Sequence, residues 1–305
     1  MSRPRIALTA GDPAGIGPEI VAKAAADAGL LAICEPVIFA SKVAGPIRLG
    51  EVSAAAGQAA YDTIVSAVAA ARRGEVDAIA TAPINKLAFA RAGLPWKGHT
   101  DLLAHLCGTR RVAMLFHAPQ LKVVLITVHV PLREVPALLT GELVADTIRL
   151  TAESLPLFGI ARPRLALAGL NPHAGESGVL GTEDDAVLAP AVAAARAAGI
   201  DIRGPFPADT VFVRASRGEF DCVLACYHDQ GLIPVKLLAF GQAVNVTIGL
   251  PIIRTSVDHG TAFDIAGKGV ADAGSMIEAV KLAAQMCEAK VRLKPDATST
   301  SGSTR

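Results

Sequence analysis

Fold and chemistry are both indicated by the stretch Asp221-Cys-Val-Leu-Ala-Cys-Tyr-His-Asp-Gln-Gly-Leu-Ile-Pro-Val-Lys236. It begins as an apolar run of strand length and then breaks into a polar cluster that includes His228 and Asp229. A second apolar segment follows and carries Lys236. Open α/β sheets place their binding and catalytic groups where a buried strand ends in polar side chains. A core strand followed by a solvated turn is the alternative, and it weakens because other strands of this chain end in the same way.

Predicted strands alternate with predicted helices along the rest of the chain. The strands are placed at residues 5–9, 36–40, 77–81, 112–117, 122–130, 164–170 and 243–248. The helices are placed at residues 20–29, 58–73, 141–158, 183–198 and 274–291, with one more capped by Thr100 and loops at 44–57, 204–210 and 249–261. This alternation predicts a largely parallel sheet with helices on both faces. With 305 residues, 51% of them hydrophobic, the chain is long enough for two packed α/β lobes with a cleft between them.

The composition argues against several classes of function. The net charge is +1 and no basic or acidic run occurs, so nothing predicts a nucleic-acid or membrane-surface partner. No apolar stretch reaches membrane-spanning length, and the residues after Met1 show no signal peptide. The five cysteines are an odd number and widely scattered, which favours reduced core thiols. We therefore expect a cytoplasmic protein that acts on a small molecule.

Three histidines occupy equivalent places, since His129, His173 and His228 each follow an apolar predicted strand. Neutral imidazoles that converge from separate strand ends, without cysteine ligands, suit Zn²⁺, Co²⁺ or another divalent ion with an open coordination position. For any one of these histidines alone, a hydrogen-bonded structural role is the alternative. The three together favour a metal site.

Cationic and polar side chains outline a pocket for an anionic small molecule. The residues predicted to form it are Lys86, His99, Thr100, Lys236, Asn245 and Arg254. Arginine can bind a carboxylate or phosphate through two parallel hydrogen bonds, and lysine supplies a point charge. The set predicts a small, phosphorylated substrate, and ordinary surface cations are the alternative.

Six motifs along the chain are distinctive. They are Gly11-Asp-Pro-Ala-Gly-Ile-Gly-Pro-Glu19, Gly98-His-Thr100, Gly169-Leu-Asn-Pro-His-Ala-Gly-Glu176, Pro207-Ala-Asp-Thr210, Tyr227-His-Asp-Gln-Gly231 and Arg254-Thr-Ser-Val-Asp-His-Gly-Thr261. In this order they closely resemble the 4-hydroxythreonine-4-phosphate dehydrogenase family of pyridoxal phosphate biosynthesis. The resemblance covers about residues 4–290, and the number of motifs in one order makes it specific.

The resemblance implies an activity and a set of site residues. The family oxidises 4-phosphooxy-L-threonine with NAD⁺ or NADP⁺, and the resulting β-keto acid loses CO₂ to give 3-amino-2-oxopropyl phosphate. The family metal falls on the three histidines named above, and zinc, cobalt and magnesium all stay open. Substrate contacts fall on His99, Thr100, Lys236, Asn245 and Arg254. The family is a homodimer whose sites lie at the subunit interface and take ligands from both chains.

The resemblance also implies a fold and a place for the dinucleotide. The family is similar to the isocitrate and isopropylmalate dehydrogenases, an α/β fold with two lobes, and not to Rossmann enzymes. One lobe would comprise about residues 4–125 and 240–292, the other about 126–239, and residues 293–305 would form a disordered tail. The loop His259-Gly-Thr-Ala-Phe-Asp-Ile-Ala-Gly-Lys-Gly269 is similar to the adenosine-binding loop of those enzymes. We therefore predict that His259, Gly260, Thr261 and Asp264 contact the dinucleotide, with a helix-capping turn as the alternative.

Some choices stay open at the level of sequence. Lys86, Asp229 and Asp258 are all candidates for the general base. The chain departs from the family pattern at Asp101, where Glu is usual, and in the short connection at 44–57. Relatives of similar sequence act on erythronate or threonate phosphates or on dihydrodiols, so either departure could change the substrate. A metal-dependent hydrolase or acyltransferase, and a sugar-acid binding protein without catalysis, are the alternatives of other classes.

Overall fold

The computed structural model of the protein describes residues 3–293. Its strands, numbered β1 to β10 in chain order, are Arg5–Thr9, Glu35–Phe39, Ala78–Thr81, Ala113–His117, Lys122–Leu125, Leu165–Ala168, Ile202–Phe206, Cys222–Ala225, Val244–Ile248 and Ile253–Ser256. Its α-helices, numbered α1 to α11, are Gly17–Ala25, Ala28–Ile33, Ala54–Arg72, Lys86–Arg91, His99–Cys107, Val135–Leu138, Gly141–Ser154, Ala189–Ala197, Ala208–Ser216, His228–Ala239 and Gly274–Leu293. None of these helices is long and apolar enough to cross a membrane.

The ten strands form one sheet in the order β2-β1-β3-β10-β9-β4-β5-β8-β6-β7. The strands pair in parallel from β2 to β10 and again from β5 to β7. Between these two parallel groups, β10, β9, β4 and β5 pair antiparallel. The predicted α/β class is confirmed, and the antiparallel centre is the feature that the simple alternation of strands and helices did not predict. The division into two lobes at the predicted boundaries stays a prediction.

The two faces of the sheet are covered differently. On one face a single continuous core runs from β1 to β6 and includes residues of α1, α7, α8 and α11. On the other face the core is divided into two clusters. One packs α9 and α10 against β5 and β8, and the other packs α3, α4 and α5 against β1 and β3. The central strands lie between these two clusters, and the cleft that holds the candidate site opens there.

Several predicted boundaries are wrong for local reasons. Helix α3 begins at Ala54, not at residue 58, because the Ser53 side chain accepts a hydrogen bond from the Ala56 N–H and caps it. The first predicted helix is two helices, since Asp27 caps α2 in the same way. Thr100 was predicted to cap α5 but lies inside it, and the N-cap residue is Gly98. The Asp101 side chain accepts a hydrogen bond from the Gly98 N–H at 2.9 Å.

Two strands lie partly or wholly in the segments 204–210 and 249–261, which were predicted as loops. Residues 202–206 form β7 at the edge of the sheet, although they contain the cis Gly204-Pro205 bond. Residues 253–256 form β10, so Arg254 lies in the middle of the sheet and not in a loop.

Two predicted segments end differently. Strand β5 ends at Leu125, which places His129 four residues beyond it. In the predicted tail, residue 293 still belongs to α11, and residues 294–305 lie outside the described residues.

Candidate active site

A cleft of about 1080 Å³ lies over the central strands, between the two core clusters. Strands β4, β9 and β10 supply its floor through Phe116, Asn245 and Ser256. The first turns of α4 and α5 supply one wall, and α10 supplies the opposite wall. All six residues predicted for the anionic pocket line this cleft: Lys86, His99, Thr100, Lys236, Asn245 and Arg254.

Arg254 is the most deeply buried cation of the cleft. Its residue is 2% exposed, and its guanidinium donates to Thr247 Oγ1 at 2.9 Å and to Thr81 Oγ1 at 2.7 Å. Burial alone lowers the pKa of the guanidinium to about 9, and no acidic side chain among the described residues offsets its charge. The Nε donor is buried without a hydrogen-bond partner. A buried cation in this setting is suited to an anionic ligand.

His99 and Asn245 also present unpartnered polar atoms. His99 Nε2 and Asn245 Oδ1 are inaccessible to solvent and make no hydrogen bond within the described residues. Burial, and then the charge of Arg254, hold the pKa of His99 well below its usual value, so its imidazole is neutral at pH 7. Both residues therefore have hydrogen-bonding capacity left for a ligand.

Lys236 and Asp258 form an ion pair on the α10 side of the cleft. Their Nζ and Oδ2 atoms lie 3.8 Å apart, and the side chains are 43% and 17% exposed. Burial raises the pKa of Asp258, while Lys236, His259 and His228 act in the opposite direction. Of the three candidate bases, Asp258 and Lys86 line the cleft. Asp229 is turned away, with a side chain that is 73% exposed and paired with His228.

His129 and His228 come together at the α10 side of the cleft. Their ring centroids are 5.7 Å apart, and both residues line the cleft. Partial burial, followed by the charges of Lys86 and His228, lowers the pKa of His129, which favours the neutral imidazole that a metal requires. His228 Nδ1 lies 2.7 Å from Asp229 Oδ1, an arrangement that leaves Nε2 free for a ligand.

His173 is not brought into this group. It lies on a turn after β6, with a backbone φ of 54° and a side chain that is 66% exposed, and it does not line the cleft. Its Nδ1 lies 3.0 Å from Glu176 Oε2, which again leaves Nε2 free. Across residues 3–293, no three His, Cys, Asp or Glu side chains are grouped closely enough to hold a metal ion. One chain thus brings together two of the three predicted imidazoles, and neutral imidazoles of this kind suit a divalent metal ion.

The loop predicted to bind the dinucleotide begins at the cleft and continues away from it. His259 and Gly260 line the cleft, whereas Thr261 O accepts the Ile16 N–H at 3.0 Å. A Cβ on Gly15 would lie 2.7 Å from the same carbonyl oxygen, so this loop is packed tightly against the turn after β1. Asp264 is in a short 3₁₀ turn beyond that contact. The loop is thus connected to the cleft through its first two residues, and its role in binding the dinucleotide stays a prediction.

Sequence reasoning missed the hydroxyl groups around Arg254. Thr81, Thr247 and Ser256 are 0%, 3% and 4% exposed, and all three lie on the face of the sheet that forms the cleft floor. The available signal was the spacing of two between Asn245 and Thr247, because alternate residues of a strand share a face. The corresponding signal for Ser256 was its spacing of two from Arg254, but it could be used only if residues 253–256 were recognised as a strand.

Comparison with known proteins identifies close relatives. The sequence profile of the family described as pyridoxal phosphate biosynthetic protein PdxA matches residues 19–283. The chain is 44% identical to the 4-hydroxythreonine-4-phosphate dehydrogenase of Beijerinckia indica, over 92% of this chain and 94% of that protein. It is 43% identical to the D-threonate 4-phosphate dehydrogenase of Cupriavidus necator, over 93% and 97%. The crystal structure of the Klebsiella pneumoniae 4-hydroxythreonine-4-phosphate dehydrogenase is 42% identical with a TM-score of 0.84, over 93% and 99%.

Two more distant structures are informative. A terephthalate 1,2-cis-dihydrodiol dehydrogenase from Burkholderia xenovorans is 35% identical with a TM-score of 0.67, over 93% of this chain and 98% of that one. The isocitrate dehydrogenase of Methylococcus capsulatus is 17% identical with a TM-score of 0.53, over 96% and 99%. The second likeness concerns the fold alone, and it confirms the expected isocitrate dehydrogenase-like architecture.

Proposed function

Because the chain belongs to the family of the pyridoxal phosphate biosynthetic protein PdxA, we propose that it oxidises 4-phosphooxy-L-threonine with NAD⁺ or NADP⁺ in a reaction that requires a divalent metal ion. The β-keto acid would then lose CO₂ to give 3-amino-2-oxopropyl phosphate. That the protein is an oxidoreductase follows from its curated relatives, which are dehydrogenases, and this removes the hydrolase and acyltransferase alternatives. The observation that carries the finer proposal is the convergence of Arg254, Lys236 and the His129–His228 pair in one cleft.

The cations of the cleft support a doubly anionic substrate. Arg254 lies buried at the floor and Lys236 half-exposed at the wall, so two positive groups are available for a phosphate and a carboxylate. Neutral His99 and Asn245 add a hydrogen-bonding atom each near the floor. Holding both ends of the substrate fixes the hydroxyl-bearing carbon between them, and such positioning can supply up to about 7–11 kcal/mol of a barrier.

His129 and His228 are the proposed metal-binding side chains of this chain. When bound, the metal would supply Lewis-acid polarisation of the substrate hydroxyl, and the dinucleotide would supply the hydride acceptor. Asp229 accepts from Nδ1–H of His228 and so fixes the tautomer in which Nε2 is unprotonated. His129 stays neutral because of its partial burial and the nearby positive charges.

Asp258 is the proposed proton acceptor for the substrate hydroxyl. It lines the cleft, and its raised pKa makes it a stronger base than an exposed carboxylate. Lys236, 3.8 Å away, keeps it in place beside the anionic substrate. Lys86 lines the opposite wall and remains the second candidate, whereas Asp229 is assigned to orienting His228.

A homodimer would complete the site. Helix α10 and the residue that directly follows it carry an exposed apolar row, in which Ile233, Leu237 and Phe240 are 65%, 84% and 84% exposed. Ile233 and Leu237 are four residues apart, which places them on one side of the helix, and contiguous exposed apolar side chains mark interaction surfaces. The same helix begins with His228. A second copy that packs on this row would be close to the His129–His228 pair, so we propose that His173 of the partner subunit is the third metal ligand.

D-Threonate 4-phosphate is the second candidate substrate, because a relative with that activity is as similar to this chain as the threonine-phosphate enzymes are. The two substrates differ in the group at C2, an ammonium in one and a hydroxyl in the other. A panel of 4-phosphooxy-L-threonine, D-threonate 4-phosphate and D-erythronate 4-phosphate, followed at the NADH band with Zn²⁺, Co²⁺ or Mg²⁺, would separate them. A kcat/KM for D-threonate 4-phosphate well above that for 4-phosphooxy-L-threonine would overturn the first assignment and establish the second.

A further inference from the structure

Arg254 is held in a fixed orientation without being neutralised, and we propose that Thr81 and Thr247 are the positioning residues that aim its guanidinium at an oxyanion of the substrate. The proposal rests on the proposed function only in taking the ligand of this cleft to be anionic.

The two threonines hold the guanidinium from the two strands that flank it. Thr81 lies on β3 and Thr247 on β9, and β10 with Arg254 runs between them. Arg254 Nη2 donates to Thr81 Oγ1 at 2.7 Å, and Nη1 donates to Thr247 Oγ1 at 2.9 Å. All three residues are at most 3% exposed. Contacts from both sides within a sheet leave the planar group little freedom to rotate.

The hydrogen bonds around Thr81 run in one direction. A guanidinium can only donate, so the Thr81 hydroxyl accepts from Arg254 and must use its own proton elsewhere. That proton goes to Ser256 Oγ at 2.9 Å, and the Ser256 hydroxyl donates to the Thr81 carbonyl at 3.2 Å. The hydroxyl groups of Thr81 and Ser256 therefore each have a defined orientation, and this series of hydrogen bonds fixes the arginine more firmly than a single contact would.

Neither threonine cancels the charge of Arg254. A guanidinium has five N–H donors, and the two threonine contacts occupy two of them. The Nε donor is buried and unpartnered, and Arg254 lines the cleft. Hydroxyl acceptors orient the group at little electrostatic cost, whereas a carboxylate at either position would form an internal ion pair. The second N–H of Nη1 and of Nη2 is therefore left for an oxyanion, either the phosphate or the carboxylate of the substrate.

Loss of either hydroxyl should weaken anion binding more than it slows the chemical step. A hydrogen bond to a charged group corresponds to about a tenfold to hundredfold change in an equilibrium constant. In Thr247→Val or Thr81→Val, KM for the phosphorylated substrate should rise by about that factor while kcat changes less. Thr247→Ser and Thr81→Ser keep the hydroxyl and should restore KM to near the wild-type value.

The test uses the full-length protein and two probes, inorganic phosphate and acetate, in thermal melting titrations. We expect phosphate, acetate or both to raise the Tm of the wild type and of the serine variants, and to do so only at concentrations at least about tenfold higher in the valine variants. Whichever probe shows this difference identifies the end of the substrate that Arg254 binds. Where a valine variant does not fold, the alanine variant takes its place.

Two results would overturn the proposal. One is a valine or alanine variant whose anion response and KM match those of the wild type. The other is a wild-type protein whose Tm responds to neither anion. Failure of the proposed function is a separate outcome, because it would appear as no NADH formation while the anion responses still differ between the threonine variants as described.

Discussion

The imidazole rings of His129 and His228 meet at the wall of the cleft, with their centroids 5.7 Å apart and their planes inclined at 41°. They come from segments that follow β5 and β8, which are neighbouring parallel strands. His173 follows β6, the next strand in the same parallel group. The three segments thus begin at the carboxyl ends of neighbouring parallel strands, on the same side of the sheet. Of these three histidines, only His129 and His228 line the cleft.

Removal of either clustered histidine should remove the metal. We expect His228→Ala and His129→Ala to lose bound metal, measured by elemental analysis after gel filtration, and to lose activity with it, because two-ligand sites bind divalent ions poorly. His105→Ala is the matched control for metal content, since the His105 ring packs against Trp96 at a tilt of 45° and is not a predicted ligand. Full metal occupancy in both ligand variants would rule out this pair as metal ligands.

Mixing two inactive variants should restore activity if the site is shared between subunits. In a hybrid of His228→Ala and His173→Ala, one of the two sites keeps His129 and His228 from one subunit and His173 from the other. Random exchange makes half of the dimers hybrid, so activity should recover to roughly a quarter of the wild-type value. The single variants, unfolded and refolded alone, serve as controls. A mixture that stays as inactive as its components would contradict the shared site.

The apolar row on α10 should control assembly. Leu237→Asp and Phe240→Asp place a charge on side chains that are each 84% exposed in the single chain. We expect both variants to shift from dimer to monomer in light-scattering measurements, with activity lost in proportion, because burial of a charge in an apolar interface is unfavourable. Leu31→Asp, at another exposed leucine on α2, is the control. A wild-type protein that is monomeric at assay concentrations would refute the assignment of this surface.

Asp258 and Asp229 should differ in what they do to catalysis. If Asp258 accepts the proton, Asp258→Asn should lower kcat by about 10²–10⁴-fold while the metal stays bound. Asp229→Asn should act mainly through His228 and weaken metal affinity by about 10–100-fold, so that added metal restores its rate. If kcat of Asp258→Asn is close to that of the wild type, Lys86 becomes the leading candidate.

Stability should fall in mild acid because of His117. Burial lowers the pKa of His117 to about 4, and its Nδ1 is buried without a partner beside Phe158. Since the folded-state pKa lies below the unfolded value of 6.5, the unfolded chain takes up a proton first as the pH falls. The free energy of unfolding should be unaffected above pH 6.5 and should decrease between 6.5 and 4 by up to about 3 kcal/mol from this residue.

Urea denaturation at a series of pH values measures this effect. His117→Phe keeps a ring that can stack on Phe158 and cannot be protonated. The free energy of unfolding should therefore decrease with a smaller slope between pH 6.5 and 4 in this variant than in the wild type. His99, whose pKa is also lowered, has the same sign and should account for part of the slope that remains. An unchanged slope in His117→Phe would show that His117 is not the titrating group.

The sequence was sufficient to predict the α/β class and most of the cleft, because strand ends and polar clusters are local signals. It failed at β10, whose four residues Ile253–Ser256 are all buried and show no alternation of polar and apolar side chains. Arg254 was therefore predicted in a loop, although its place as a potential anion contact was recognised. The hydroxyls that hold it depend on the pairing of β3, β10 and β9, which is long-range and leaves no local pattern.

The position of His173 could not be predicted for a similar reason. Its strand end is local information, but its backbone φ of 54° and its exposure depend on the turn that follows β6. Whether an exposed histidine joins a site shared with a second subunit is not described by the pattern of one chain.

The most direct test of the central claim is the initial rate of NAD⁺ or NADP⁺ reduction with 4-phosphooxy-L-threonine, measured on protein stripped of metal and then reloaded with Zn²⁺, Co²⁺ or Mg²⁺. We predict no reduction by the stripped protein, recovery with at least one of the three ions, and one CO₂ released for each dinucleotide reduced. Full activity in the stripped protein, or no reduction with any ion although the metal is bound, would contradict the account.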